Sequence, residues 1–172
     1  MKVETLKLQE YEGKNFTVTK YQGKATMTFG EGEVIHNEDY YADYMLGQCE
    51  CPLSELFDGV GTNSILICGL GMGLVPLLAN TLYKKVDVID YDQELIDYAI
   101  NREIIPVGVG LFNADAYTYT PSQKYDVILI DLWWDANDIT DEQKSLLKSN
   151  YKDYLNENGR IILPVTFNYL QI

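Results

Sequence analysis

Cations, sulfur and histidine are all scarce in this chain. Thirteen Lys and Arg stand against 26 Asp and Glu, giving a formal net charge of −13 over 172 residues. Such a surface repels phosphate backbones, and the densest basic stretch is the dipeptide Lys84-Lys85, so no nucleic-acid partner is expected. A small cationic substrate would be attracted instead, although acidity also serves plain solubility. The three cysteines, Cys49, Cys51 and Cys68, are odd in number and the N-terminus has no signal-peptide pattern. Reduced thiols and a cytoplasmic location follow as expectations. Cys49-Glu50-Cys51 is too tightly spaced for a zinc hairpin, and His36 is the sole histidine, so no metal site is expected. No apolar run approaches the roughly 20 residues that span a bilayer, which argues against a membrane partner. Apolar residues still make up 47% of the chain, enough to build one packed core rather than a disordered chain.

Two organisational regions emerge. Residues 1–46 read as an N-terminal β-hairpin region with a linking helix. Phe16–Tyr21, Ala25–Phe29 and Glu33–His36 are rich in β-formers and separated by glycine turns. Asn37 is placed to cap a helix running through Tyr40–Leu46. Residues 47–172 read as an α/β domain with a doubly wound parallel sheet, a Rossmann-like nucleoside-binding arrangement. Its predicted strands are Ser64–Cys68, Val86–Asp90, Val107–Phe112, Tyr125–Ile130 and Arg160–Val165. Helices are predicted at Leu74–Leu82, at Gln93–Asn101 behind a cap at Asp92, and from Asp141 to about Leu155 behind Thr140, with Asn158-Gly159 as the stop. Cys68, inside an apolar strand, reads as a small buried hydrophobe.

The chemistry concentrates at the strand ends. Ile65-Leu-Ile-Cys-Gly69-Leu-Gly71-Met-Gly73 carries an apolar strand into a turn with alternating glycines, and Val86-Asp-Val-Ile-Asp90 ends on an acid. This is the layout of a nucleoside-binding βαβ unit. Gly69, Gly71 and Gly73 allow close backbone approach to a ligand. Asp90 can accept hydrogen bonds from both ribose hydroxyls. Asp115 can take a bond from an exocyclic adenine amine. Asp131, at the tip of the fourth strand, can orient or deprotonate an amine or face a sulfonium. Asp135 follows it across Trp133-Trp134, a pair suited either to stacking on a ligand or to packing at an interface. Each acid also has a structural alternative as a loop cap. Tyr40, Tyr41 and Tyr44 suit either a packed helix face or one wall of an amine pocket. A dinucleotide-binding dehydrogenase ranks last, because Leu74 stands where the third glycine of that fingerprint belongs.

From about Tyr21 to Val165 the chain resembles the polyamine aminopropyltransferases, the spermidine synthases, within the class I S-adenosylmethionine-dependent methyltransferase fold. Gly69–Leu74, Val88–Asp92, Asn113–Asp115 and Tyr125–Asp131 carry the part shared with many methyltransferases. Gly23–Gly30 and Asn37–Tyr44 resemble the aminopropyltransferase branch, which sets Glu38 and Tyr41 on its substrate positions. The resemblance implies S-adenosylmethionine or its decarboxylated form as co-substrate, a small cationic amine as acceptor, and a homo-oligomer, dimer or tetramer. Departures accompany it. Met72 replaces the loop acid that holds the aminopropyl amine, Ala42 replaces a His or Gln, and Asp135 is shifted by one position. The family also continues for about a hundred residues more. A transferase of methyl or aminopropyl groups and a non-catalytic relative retaining the fold are the two readings left open.

Overall fold

The computed structural model describes residues 8–21, 24–29, 33–37, 63–132, 139–165 and 168–171. The expected helix at residues 40–46, with Tyr41, and the Trp133-Trp134-Asp135 segment lie outside the described residues.

Near the N-terminus, β1 (Tyr11–Glu12), β2 (Phe16–Tyr21), β3 (Lys24–Phe29) and β4 (Glu33–Asn37) form an antiparallel sheet in sequential order. Alternation sets one face: Phe16, Val18, Ala25 and Met27 are buried, while Thr17, Thr19, Thr26 and Thr28 lie on the other side.

The second sheet contains β5 (Ser64–Cys68), β6 (Lys85–Asp90), β7 (Gly110–Asn113), β8 (Tyr125–Ile130), β9 (Leu155–Val165) and β10 (Asn168–Gln171). Its order is β10-β9-β8-β5-β6-β7, with β10 antiparallel to β9 and all other neighbours parallel. The chain winds outward from β5 through β6 to β7, then crosses back to β8 on the other side. The strand order therefore reverses at β5 and β8, the switch point beyond whose carboxyl ends ligands of such sheets bind.

Among the described residues, three helices pack on this sheet: α1 (Leu74–Leu82), α2 (Gln93–Asn101) and α3 (Asp141–Tyr151). Ile65, Ile67, Val86, Val88, Val127 and Leu129 point into one core with α1, α2 and the buried face of the N-terminal sheet. Leu66, Cys68, Ile89, Ile128, Ile130 and Ile161 point into a second core with Leu147 and Tyr151 of α3. This two-sided burial explains the nearly unbroken apolar runs of β5 and β8. Of the expected caps, those at Asp92 and Thr140 are present, and the helix expected after Asn37 lies outside the described residues. The Asp92 carboxylate accepts the N–H groups of Glu94 and Leu95, and Thr140 forms a reciprocal capping box with Gln143.

Three boundaries differ from expectation. The third parallel strand starts at Gly110, because Gly108 turns the chain at φ 105° and Val107 stands fully exposed. Helix α3 ends at Tyr151, and a 3-10 turn over Lys152–Tyr154 leads into β9 at Leu155. Asn158 at φ 64° and Gly159 are thus part of an irregularity within β9, not a helix stop. There, a side chain on Gly159 would meet the carbonyl oxygens of Asn156 and Tyr125 at 3.0 Å. Strands β1 and β10 extend the two sheets beyond the predicted set.

Candidate nucleoside site

The glycine turn joins β5 to α1 at the point where the sheet reverses. Gly69, Gly71 and Gly73 have φ values of 108°, 50° and 86°, all in the region that disfavours side chains. Their surroundings divide the labour. A Cβ on Gly69 would collide with the Asp131 carbonyl oxygen, so glycine lets the exits of β5 and β8 close on each other. A Cβ on Gly73 would press on Ile104 and Ile105. At Gly71 a Cβ would meet nothing within 4 Å among the described residues, so none of them crowds the backbone there. Between them, Leu70 and Met72 are both 3% exposed and anchor the turn in the core. The Met72 side chain therefore serves packing. Gly73 caps α1 without a side-chain hydrogen bond.

Asp90 ends β6 beside this turn. Its Oδ2 accepts the Leu70 N–H at 2.8 Å and its Oδ1 accepts the Asp92 N–H at 2.9 Å. These bonds hold the carboxylate beside the glycine turn. Burial pushes the Asp90 carboxyl above its ordinary range, outweighing the N–H groups of Asp92 and Leu70 that pull it down. Next to it Tyr91 is 79% exposed, an aromatic ring left in solvent at the crevice edge. Sequence reasoning missed Tyr91, although an aromatic immediately after the strand-end acid was a visible signal.

Strand β7 brings the third acid close. Ala114 N–H donates to the Asp90 carbonyl at 2.9 Å, and the Asn113 side chain donates to the carbonyls of Asp90 and Tyr91 at 3.2 and 2.8 Å. Asn113 is a second residue missed by sequence reasoning; it ties the tip of β7 to the tip of β6. Asp115 is exposed, and its Oδ1 accepts the Tyr117 N–H at 2.9 Å. That oxygen fulfils the loop-capping alternative, while Oδ2 takes no hydrogen bond among the described residues.

Asp131 leaves β8 against Gly69, with its N–H donating to the Cys68 carbonyl at 2.8 Å. Its side chain is partly exposed and is bonded to no described donor. Burial without a compensating partner pushes this carboxyl up to about 6. Asp131, Gly69, Gly71, Gly73, Asp90 and Asp115 thus all lie at or just beyond the carboxyl ends of the neighbouring strands β8, β5, β6 and β7. Cys68, one residue before the turn, points away from it. Its thiol lies 3.5 Å from the Tyr151 hydroxyl, which in turn donates to the Ala116 carbonyl at 2.7 Å. Burial, opposed by that hydroxyl, pushes the thiol up to about 12.

No protein-family model matches the chain, and no curated protein does. Solved structures do match, and those named here are methyltransferases or carry S-adenosylmethionine. A DhpI complex with S-adenosylmethionine superposes with a TM-score of 0.57 at 18% identity, over 72% of this chain and 54% of that one. A Leishmania major S-adenosylmethionine-dependent methyltransferase gives 0.56 at 27% identity, over 73% and 50%. The Bradyrhizobium japonicum N-methyltransferase NodS gives 0.54 at 17% identity, over 64% and 62%. The chain thus spans between half and two thirds of the length of these structures. The fold is the Rossmann-like methyltransferase fold, here accompanied by the small antiparallel sheet.

Proposed function

We propose that this chain binds S-adenosylmethionine and transfers its methyl group to a small cationic amine. The observation that carries the reading is the Asp90 carboxylate, fixed by two backbone N–H groups beside the open backbone of Gly71. In this reading Asp90 holds the ribose hydroxyls, Tyr91 lies along the base, and Asp115 takes the adenine amine through its free oxygen. The glycine turn and the uncapped start of α1 offer N–H groups to the amino-acid end of the ligand. S-adenosylmethionine supplies an electrophilic methyl on a sulfonium. Asp131 orients the acceptor and takes its proton; a carboxyl pushed up to about 6 still titrates below neutrality and is a stronger base than an ordinary aspartate. The remaining contribution is alignment of acceptor and methyl along one line.

Methyl transfer is favoured over aminopropyl transfer by one observation. Decarboxylated S-adenosylmethionine ends in an ammonium that needs an acceptor at the glycine turn, and Met72 there is buried in the core. The antiparallel N-terminal sheet is what speaks for the aminopropyl reading. Calorimetric titration with S-adenosylmethionine, its decarboxylated form and methylthioadenosine separates them. Micromolar binding of S-adenosylmethionine, lost in Asp90→Ala, is the expected result. Preference for the decarboxylated form would reverse the choice. Heat from none of the three would remove the pocket altogether. Binding without S-adenosylhomocysteine production across a panel of amines would support the non-catalytic relative.

A further inference from the structure

We propose that Asn15, in the turn between β1 and β2 of the N-terminal sheet, is a positioning residue for the Asp90 carboxylate; this rests on the nucleoside reading of the crevice. The turn straddles the start of α2. Gly13 N–H donates to the Phe16 carbonyl at 3.1 Å, which closes the turn. Glu94 then grips its outer side, with Oε1 accepting the Tyr11 hydroxyl and the Lys14 N–H at 2.9 and 2.8 Å and Oε2 accepting the Asn15 N–H at 3.0 Å. These bonds hold the backbone of Asn15 so that its side chain reaches inward. The amide Nδ2 donates to Asp92 Oδ1 at 2.9 Å.

Asp92 links the turn to Asp90. Its Oδ1 already accepts the N–H groups of Glu94 and Leu95 at 2.9 and 3.3 Å, and its own N–H donates to Asp90 Oδ1. Asp92 is 7% exposed, so it has little water to replace a lost donor. Among the described residues, Asn15 is the only side chain from outside α2 that bonds the Asp92 carboxylate. Its hydrogen bond stabilises the buried Asp92 carboxylate and fixes the residue whose backbone N–H aims the Asp90 carboxylate. The chain Asn15–Asp92–Asp90 therefore links the N-terminal sheet to the ribose end of the crevice. The rest of the docking surface lies further off: Tyr98 exchanges bonds with the Gln9 backbone, and Arg102 donates to the Gln9 side chain at 2.7 Å.

The test uses the full chain and two ligands, S-adenosylhomocysteine and its analogue lacking both ribose hydroxyls. Asn15→Ala should weaken the ribose-bearing ligand about fivefold and the analogue less than twofold, the loss expected for one hydrogen bond acting through Asp90. Gln9→Ala, which loosens docking away from Asp92, should lower the melting temperature and leave both affinities unchanged. An equal loss for both ligands in Asn15→Ala, or no loss, would overturn the positioning role while leaving the pocket intact. If the unaltered chain binds neither ligand, the nucleoside reading falls and takes this inference with it.

Discussion

Both ends of the parallel sheet carry aspartates, and the two sets are dressed differently. Toward the strand starts, Asp126 accepts the N–H groups of Asn63 and Ser64 and the Asn156 side-chain amide. Asp87 accepts the Tyr125 hydroxyl at 2.7 Å and the Gln123 amide at 3.0 Å, with the Lys85 ammonium 3.4 Å away. At the strand exits, Asp90 and Asp115 keep acceptor capacity and Asp131 has no described donor. A buried carboxylate surrounded by donors is a structural joint. One left with unused lone pairs at an open crevice is costly to the fold and suited to a ligand.

The sharpest way to break this contrast is to remove one acid from each end. Asp87→Ala orphans the Tyr125 hydroxyl in the core and should cost about 3 kcal/mol of stability in urea denaturation. Nucleoside affinity in the same variant should hold; a loss of affinity with unchanged stability would erase the distinction between the two ends. Asp90→Ala should do the opposite, weakening S-adenosylmethionine about 100-fold by calorimetry while shifting stability by about 1 kcal/mol or less.

Asp131 sharpens the comparison through pH. The folded state holds its proton up to about pH 6, whereas the ordinary value is 3.8. Stability from this group is complete below about pH 4 and is lost as pH rises through about 6. Each unit of that window contributes about 1.4 kcal/mol, which partial exposure reduces to about 2 kcal/mol in all. Asp131→Asn should flatten that slope and be the more stable protein at pH 7.5, measured as denaturation midpoints across pH. Transfer by the unaltered chain should rise with pH through about 6, and the variant should lose that limb. The smallest effect belongs to Gly71→Ala. The positive φ should cost about 1 kcal/mol, and the new methyl enters open space, so ligand affinity should fall more than stability does. Unchanged affinity would move the ligand away from the turn.

Much of this arrangement was legible before any coordinates. Strands β5 and β8 declared themselves because burial on both faces makes nearly every position apolar. Asp92 and Thr140 were recognisable as caps because capping is decided by residues within one turn. The glycine pattern announced the crevice, though not that each glycine answers a different neighbour. What escaped depended on distant partners. Asp87 and Asp126 look no different from other strand aspartates until Tyr125 and Asn63 fold against them. Asn15 lies 77 residues from the carboxylate it bonds. Asn158-Gly159 is a good helix stop by local rules, yet the chain had already left α3 at Tyr151, whose hydroxyl is tied to Ala116.

The sealed thiol of Cys68 gives the molecule an internal clock. A sulfur that stays protonated and shielded reacts with an alkylating reagent only when the sheet parts from α3. With Cys49 and Cys51 replaced by serine, the labelling rate at position 68 would time the opening of the second core. A ligand that bridges β5, β6 and β8 across their tips would slow that clock from outside without touching the sulfur.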